Sequence, residues 1–492
     1  MSRLVVIGGG AAGMSAASAA RRVAPRLEVV VCEAGGFAAY GMCGIPYFLG
    51  GTVPRAEDPL AYPPSEFRDQ RGIDLRLHTR VSAIDPVGHR VQVTGEAGSG
   101  PLRYDALIMA SGATPVRPPV PGLDGPQVFT IRSLDEAIGL RRLLESGSVR
   151  RAIVVGAGYI GLEAAEALVS AGAEVEVVEA LPRVLGNVDE PIAELARAEL
   201  ERHTRVRLGT RLDELRHSHH DEAGRRTVTA VLGGTEVEAD LVVVAAGVRP
   251  ATGLLVRAGA EHLPDGALLA DASMRTSLPD VYAAGDCVAL QHLVLGGPAW
   301  VPLGPAANKT GRVAGTVAAG GEAAFPGIVG TAVVKVFDLE VARTGLTLTE
   351  AHAAGLAAAA TDVVSRSRAK YYPGAQPLHV RLVHAPDGRL LGGQLAGREG
   401  AAKRIDVLAT ALYARLTVSD LAALDLSYAP PFAPVYDPVL AAAIKAAQSA
   451  AAQPAAGRSA AGRSAAGRSA AGRSAAAQAA ARPSPSPAGG AR

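Results

Sequence analysis

Two copies of one glycine-rich pattern constrain the fold of this 492-residue chain more than any other feature. Each copy follows a short Val- and Ile-rich run and precedes an Ala-rich stretch and a second apolar run. This order predicts a strand–turn–helix–strand unit of about 30 residues. Continuous Val and Ile strands are typical of parallel sheets covered on both faces. The glycines of the two patterns are Gly8, Gly10 and Gly13, then Gly156, Gly158 and Gly161.

The spacing of these glycines suits a dinucleotide. One glycine makes the tight turn, one lets the backbone approach the pyrophosphate, and one lets helix and strand pack closely. The following helix offers free N–H groups and the positive end of its dipole to the phosphates. Those first helical residues are Ala11 and Ala12 in one unit, Tyr159 and Ile160 in the other. Ordinary Gly-rich turns are the alternative, but they do not account for two whole units of one design.

Each unit also ends in an acidic residue, Glu33 or Glu179. A carboxylate at this place accepts hydrogen bonds from a ribose hydroxyl and repels a 2′-phosphate. Glu179 therefore predicts that NADH is preferred, although Arg183 leaves NADPH open. A further apolar strand follows each unit, and the second of these closes at Gly247.

Composition excludes several classes of protein. Apolar residues make up 48% of the chain and charged residues 20%, which allows a sizeable core. The six Arg of 449–492 account for the net positive charge, so the body is not expected to bind nucleic acid. No run reads as a membrane span or a signal segment, and three scattered cysteines favour a reduced, cytoplasmic setting. No metal site is expected.

The cysteines differ in their surroundings. Cys32 lies within a predicted strand, and Cys287 follows a Gly-Asp pair, so both are interpreted as structural. Cys43 lies in a Gly-rich stretch before a predicted helix, and a helix N-terminus lowers a thiol pKa. From the residues alone, Cys43 is equally well a reactive thiol or a small buried side chain.

The order of these motifs across residues 1–447 resembles the pyridine nucleotide–disulfide oxidoreductase family. Cys43-Gly44-Ile45-Pro46-Tyr47 resembles its single-cysteine branch, which contains CoA-disulfide reductases, NADH oxidases and NADH peroxidases. Phe48 stands where other members have a second cysteine, so a lone thiol must cycle as a mixed disulfide, a persulfide or a sulfenic acid.

The resemblance implies an α/β fold with two Rossmann-like dinucleotide-binding domains, a C-terminal α+β dimerisation domain and a disordered tail. FAD would occupy the first site and NADH, or less favourably NADPH, the second. The expected boundaries are 1–117 and 247–329 for the FAD-binding domain, 118–246 for the NAD(P)H-binding domain, 330–447 for the dimerisation domain and 448–492 for the tail.

The implied activity is reduction of CoA disulfide, or a related small disulfide or persulfide, by a homodimer. Lys370–Gly374 and Ser427–Phe432 resemble segments of CoA-disulfide reductases. Peroxidases and many oxidases carry a His where this chain has Ala11, which weighs against peroxide and oxygen chemistry. An NADH oxidase, a persulfide or polysulfide reductase, and an electron-transfer reductase for a small iron–sulfur protein remain alternatives. The tail is interpreted as a flexible appendage rather than an interaction segment.

The resemblance also assigns residues by position. Tyr371 or Tyr372, together with Tyr428, would reach Cys43 of the partner subunit; simple interface packing is the alternative. Asp286 would bind the flavin ribityl chain, Tyr159 would cover the flavin, and Glu163 would lie near the nicotinamide. Weaker flavin contacts, each also explicable as a sheet or loop residue, are Val81, Ser111 and Arg132. The CoA contacts would be Ser15, Arg22, Ala39, Met42, Arg71, Asn308 and Tyr436.

Three departures from the CoA-disulfide reductase pattern concern this substrate mouth. Ala19, Ala39 and Met42 replace a Gln, a Ser and an Asn of that pattern. Each replacement removes a polar group, which leaves room for polysulfides or CoA persulfide as substrate.

Overall fold

The computed structural model describes residues 2–96, 98–218 and 227–452. The chain begins with the first part of a Rossmann-like domain, in which apolar strands alternate with an Ala-rich helix. Its strands are β1 (Arg3–Ile7), β2 (Glu28–Cys32), β3 (Ile73–Arg76), β4 (Thr79–Asp85), β5 (Arg90–Gly95), β6 (Gly100–Arg103), β7 (Ala106–Met109) and β8 (Ala113–Pro115), and its helices are α1 (Ala11–Val23) and α2 (Ile45–Leu49). Shorter turns of 3-10 helix (Met42–Gly44) and π-helix (Glu66–Gln70) flank α2.

A second Rossmann-like domain is inserted after β8. Its strands are β9 (Val128–Phe129), β10 (Arg151–Val155), β11 (Glu174–Val178), β12 (Arg205–Arg207), β13 (Leu212–His217), β14 (Val228–Leu232), β15 (Thr235–Ala239) and β16 (Leu241–Val244), and its helices are α3 (Leu134–Glu145), α4 (Tyr159–Ser170) and α5 (Glu190–Leu200). The chain then returns to the first domain through β17 (Val248–Pro250), α6 (Gly253–Arg257), β18 (Leu268–Leu269), β19 (Val281–Ala283), β20 (Val288–His292), β21 (Gly297–Ala299) and α7 (Gly304–Ala318).

Both Rossmann-like domains are built on a five-stranded parallel sheet. The order is β19-β7-β1-β2-β3 in the first and β12-β11-β10-β16-β9 in the second. Each glycine-rich turn follows the first strand of its unit at the carboxyl end of the sheet, where open α/β sheets bind ligands. The predicted duplication of the strand–turn–helix–strand unit is therefore confirmed. Each turn lies at the carboxyl ends of the strands in its own sheet.

The C-terminal domain is α+β, as predicted. Its antiparallel sheet has the order β22-β23-β26-β25-β24. The elements are β22 (Ala332–Val336), β23 (Leu339–Gly345), α8 (Leu348–Ala353), β24 (Ala359–Arg366), β25 (Pro377–His384), β26 (Leu390–Gly397), α9 (Ala401–Tyr413), α10 (Val418–Ala422) and α11 (Pro438–Ala452).

The end of this domain differs from the expectation. Helix α11 runs to Ala452, so residues 448–452, which the sequence assigned to the tail, are helical because Ala442, Ala443 and Ala446 pack into the core. The remaining tail, 453–492, lies outside the described residues. In the described ranges, no helix combines the length and apolarity needed to cross a bilayer.

Candidate active site

The first glycine-rich turn has the geometry that close approach of a ligand requires. A Cβ at Gly8 would lie 2.3 Å from the Ala110 carbonyl oxygen, and one at Gly13 would lie 1.9 Å from the Gly8 oxygen. At Gly10 the nearest atom is the Met42 methyl carbon, 3.5 Å away, an ordinary contact that leaves room for a Cβ. The first and third glycines thus serve packing, and the middle one leaves the helix N-terminus accessible to a phosphate.

The glycines of the second turn have the same roles. A Cβ at Gly156 would lie 2.3 Å from the Ala245 oxygen, and one at Gly161 would lie 1.9 Å from the Gly156 oxygen. A Cβ at Gly158 would meet nothing within 4 Å. Tyr159 and the partly exposed Ile160 then begin α4. The residues present therefore fit a dinucleotide at each turn.

The terminal acids are held in the same way in both units. Glu33 accepts hydrogen bonds from the Gly9 and Gly35 N–H groups at 2.6 and 2.7 Å. Glu179 accepts them from Ala157 and Leu181 at 2.7 and 2.8 Å. Each carboxylate is thus fixed beside its own glycine-rich turn, with lone pairs left over for a ribose hydroxyl.

The residues predicted to contact flavin are brought together only in part. Burial raises the pKa of Asp286, and the Arg132 guanidinium opposes that rise, so the two side chains share one region. Ser111 donates to the Ala251 oxygen at 2.7 Å, joining the two parts of the first domain. Val81 is 8% exposed and packs in the core, as its alternative interpretation has it. Gly247 accepts from the Val116 N–H and has open space around it.

Cys43 is the exposed cysteine, whereas Cys32 and Cys287 are buried. Cys43 lies in the 3-10 turn that precedes α2. Desolvation raises its pKa, and the carboxylates of Glu163 and Asp286 add to the rise. This is the opposite of the lowered pKa expected from a helix N-terminus. The short turn does not offset the desolvation of the thiol, to which two carboxylates from distant parts of the chain add.

Glu163, on α4, is a half-buried carboxyl of the second domain whose charge acts on Cys43 and Tyr47. Burial, assisted by the charge of Glu166, raises its pKa to about 7. Glu166 itself pairs with Lys335 and accepts from the Phe337 N–H at 3.0 Å. Glu163 therefore changes its charge near neutral pH, beside the accessible thiol.

A cavity of about 600 Å³ has Gly41 in its lining, two residues before Cys43 in the chain. Five of the predicted CoA contacts line it: Ser15, Arg22, Ala39, Arg71 and Asn308. Met42 is outside the lining, and its sulfur lies 2.7 Å from an Arg132 nitrogen. Residues that sequence reasoning missed also line the cavity, among them Tyr62, Lys309 and Arg312. The only hint of Lys309 and Arg312 in the sequence is their spacing of three residues, which puts two cations one helical turn apart on α7.

Backbone contact between α1 and α7 forms one wall of this cavity. A Cβ at Gly311 would lie 2.2 Å from the Ala12 oxygen, and one at Gly315 would lie 2.0 Å from the Ala16 oxygen. The helices therefore touch without intervening side chains, and Ser15 donates to the Asn308 side-chain oxygen at 2.8 Å across the seam. This close packing puts the polar edges of both helices on one surface.

The cavity is strongly cationic. Arg71 pairs with Glu66 at 2.5 Å, and its guanidinium lies 4.1 Å from the Tyr62 ring centre. Within the described part of the chain, Arg22, Lys309 and Arg312 form no ion pair with an acid. Several unneutralised cations on one wall suit a ligand that carries several phosphates.

The predicted tyrosines lie elsewhere on the chain. Tyr371 and Tyr436 are 76% and 65% exposed on the C-terminal domain, and Tyr372 and Tyr428 are also exposed. A hydrogen bond with Tyr371 raises the pKa of Tyr428, so these two hydroxyls lie together. No contact joins these four side chains to Cys43 or to the cavity within the described residues of one chain.

Comparison with known proteins identifies the family. Residues 2–321 match the pyridine nucleotide-disulphide oxidoreductase family, and residues 331–438 match its dimerisation domain.

A CoA-dependent NAD(P)H sulfur oxidoreductase of Pyrococcus furiosus is 38% identical over 89% of this chain and 97% of its own. An NADH oxidase of Methanocaldococcus jannaschii is 34% identical over 90% and 98%. The structure of a NAD-dependent persulfide reductase from A. fulgidus superposes with a TM-score of 0.86, at 38% identity, over 91% of this chain and 83% of that one. The chain belongs to the pyridine nucleotide-disulphide oxidoreductase family, whose members are NAD(P)H-dependent flavoprotein oxidoreductases.

Proposed function

We propose that this protein, as a homodimer, uses NADH to reduce a CoA-bearing disulfide or persulfide through Cys43. The observation that carries the proposal is a cationic cavity whose lining includes Gly41, two residues before the exposed Cys43. CoA carries a diphosphate and a 3′-phosphate at one end and a thiol at the other. A ligand of this kind would place its phosphates against Arg22, Lys309 and Arg312 and its sulfur near Cys43.

FAD fits the first site, where Gly8, Gly10, Gly13 and Glu33 would hold it, and it would supply the two-electron exchange between nicotinamide and sulfur. The Cys43 thiolate attacks one sulfur of the substrate, forms a mixed disulfide and releases a CoA thiolate. Two electrons then cleave the mixed disulfide, which returns the Cys43 thiolate and a second CoA thiol. With CoA disulfide, one NADH and one proton yield NAD⁺ and two CoA thiols.

Proton transfer falls to side chains at both ends of this site. A CoA thiolate that leaves Cys43 needs a proton, and the phenols of Tyr428 and Tyr371 from the partner subunit would supply it. Glu163, with its pKa near 7, is suited to hold or release a proton on the flavin side of the thiol. At the second site, the carboxylate of Glu179 favours NADH over NADPH.

The test is Cys43→Ser, assayed with NADH against CoA disulfide, CoA persulfide, polysulfide, peroxide and oxygen. We expect CoA-disulfide and persulfide turnover to fall to background while FAD content stays unchanged. Cys32→Ala, which removes a buried thiol, is the matched control and should keep its activity. Wild-type turnover of CoA disulfide by the Ser variant would refute the proposal. If oxygen is the fastest oxidant of the unaltered enzyme, the NADH oxidase alternative replaces it.

A further inference from the structure

A second cavity, of about 360 Å³, opens on the C-terminal domain, and we call it the C-terminal cavity. It shares no lining residue with the cavity that contains Gly41. Its lining comes from the end of β24 with the residues that follow, from the start of β25 and from the segment before α11. Three of the lining residues are cations, and two are prolines: Arg366, Arg368, Lys370, Pro377 and Pro434. The C-terminal cavity thus combines positive charge with apolar surface.

Two of these three cations have no acid to neutralise them among the described residues. Arg368 pairs with Glu399, which accepts from the Arg368 Nε at 3.2 Å. Arg366 and Lys370 form no ion pair within the described ranges. Arg366 makes a long contact of 3.4 Å to the Ala375 carbonyl oxygen. The charges of Arg366 and Lys370 are therefore available to a ligand.

Backbone pairing holds the cationic wall in a fixed arrangement. Strand β24 pairs with β25 along its whole length, and the last pair sets Arg366 opposite Pro377. The Ser367 N–H then donates to the Gln376 oxygen at 2.8 Å, and the Gln376 N–H donates to the Ser367 hydroxyl at 3.1 Å. Ser367 is buried. The wall is therefore ordered before a ligand arrives, as preformed ligand sites are.

Arg404, on α9, joins this wall to the segment that carries Pro434. Its guanidinium donates to the Ser367 carbonyl oxygen at 3.0 Å and to the Phe432 carbonyl oxygen at 2.9 Å. It also pairs with Asp437 at 2.7 Å, and both side chains are largely shielded from water. Pro434 lies between Phe432 and Asp437 in the chain. Arg404 therefore ties the two sides of the C-terminal cavity together.

The two uncompensated charges suit a phosphate monoester. A guanidinium can bind two phosphate oxygens at once, and an ammonium adds a point charge. A phosphate monoester carries a charge of about −1.5 to −2 at pH 7, which two cations match. The C-terminal cavity is also larger than a phosphate ion. Its proline faces are thus left for a sugar or a base that is attached to the phosphate.

We propose that the C-terminal cavity binds the nucleotide end of the second CoA unit of CoA disulfide, the unit that leaves when Cys43 attacks. CoA disulfide has two nucleotide ends, and the cavity that contains Gly41 accounts for one of them. The inference rests on the proposed function, in which Tyr371 reaches Cys43 of the partner subunit. Lys370 precedes Tyr371 in the chain, so the C-terminal cavity would come to the same site together with this tyrosine.

Such a site distinguishes between the candidate substrates. CoA persulfide has one nucleotide end and inorganic polysulfide has none, so neither can occupy both cavities. Binding at the C-terminal cavity therefore lowers the KM for CoA disulfide and leaves the KM for the other two substrates unchanged.

The first experiment counts bound CoA by isothermal titration calorimetry of the FAD-loaded Cys43→Ser protein, in which no mixed disulfide forms at residue 43. We expect two CoA molecules per subunit, and one fewer when Arg366→Met and Lys370→Met are added. Lys403→Met is the matched control, because it removes an exposed cation of the same domain that does not line the cavity. It should leave the count unchanged. Inorganic phosphate is titrated in parallel, and phosphate that binds these two cations where CoA does not would overturn the assignment to CoA.

The second experiment compares KM values in the protein with Cys43 intact. Arg366→Met should raise the KM for CoA disulfide about tenfold, as expected for the loss of one charge-assisted hydrogen bond, and leave the KM for polysulfide unchanged. Arg366→Lys keeps the charge and should recover part of the affinity. The melting temperature and the mass of the dimer should stay the same in both variants.

A CoA count that the added Arg366→Met and Lys370→Met do not lower, or an equal rise in KM for both substrates, would refute the second CoA site. Dissociation of the Arg366→Met dimer would also refute it, because the cavity would then be a contact between subunits. Counting bound CoA requires no turnover. The second site can therefore fail while Cys43→Ser still abolishes disulfide reduction, and it can hold if the Cys43 chemistry proves wrong.

Discussion

Gly158 offers the sharpest test of how the second dinucleotide site works. Its backbone has φ of −80° and ψ of −174°, which any residue adopts, and a Cβ would meet no atom within 4 Å. Gly158→Ala should therefore leave the fold and its thermal stability unchanged. The added methyl would instead occupy the space through which the pyrophosphate reaches the N-terminus of α4.

The size of the effect follows from the hydrogen bonds that the methyl prevents. A hydrogen bond from a backbone N–H to a charged group contributes about 1.5–3 kcal/mol. Losing one such bond corresponds to roughly a 10- to 150-fold weaker binding of NADH. Gly161→Ala should behave differently, because its Cβ would lie 1.9 Å from the Gly156 oxygen and the turn itself must move. That variant should lose stability as well as affinity.

The assay is steady-state KM for NADH, together with melting temperature and FAD content. Gly10→Ala is the matched control at the first site, since its Cβ would make only an ordinary 3.5 Å contact with the Met42 methyl carbon. It should reduce FAD content, whereas Gly158→Ala should raise KM for NADH with FAD retained. An unchanged KM in Gly158→Ala would show that the middle glycine does not face the dinucleotide. A large fall in its melting temperature would refute the packing argument.

Two further predictions concern carboxylates. Burial raises the Glu163 pKa from 4.5 to about 7, so its neutral form stabilises the fold below pH 4.5 and that stability is lost as pH rises through 7. As pH rises from 4.5 to 7, the melting temperature of Glu163→Gln should therefore rise relative to that of the unaltered protein. Parallel curves of melting temperature against pH for the two proteins would contradict this. Glu179→Gln keeps an acceptor oxygen but loses the charge. It should raise kcat/KM for NADPH relative to NADH about tenfold, since the repulsion removed is about 1.5 kcal/mol. An unchanged ratio would remove Glu179 as the selectivity determinant.

The two Rossmann-like units could be predicted because their signals are local. A Val/Ile strand, three glycines and a terminal acid lie within 30 residues of one another in each unit, and the structure has the elements where the pattern puts them. The elements of the C-terminal domain were harder to predict from the sequence. The Ala-rich run 349–359 predicts one helix, but α8 ends at Ala353 and β24 begins at Ala359, pairing with β25 along its whole length. Pairing in the sheet overrides the helix preference of an Ala run.

The candidate site also has residues that could be predicted from the sequence and residues that could not. The thiol, the glycines and the acids carry sequence signals of their own. The cationic wall has no such signal, because Lys309 and Arg312 join the cavity only when the glycines of α7 pack against α1. The pKa of Cys43 was also beyond sequence reasoning. Desolvation raises it first, and the charges of Glu163 and Asp286, more than 100 residues away along the chain, add to the rise.

The distribution of groups over one chain explains why a second copy is needed for the proposed chemistry. The cavity and Cys43 belong to the first domain, whereas Tyr371, Tyr428 and Phe432 lie exposed on the C-terminal domain. Large aromatic side chains left in water forfeit about 1.5–3 kcal/mol each relative to burial. Residues 331–438 match a dimerisation domain, and such a contact would bury these rings. Each subunit would then lend its paired phenols to its partner's thiol. Dilution that separates the subunits should therefore abolish disulfide reduction before it releases FAD.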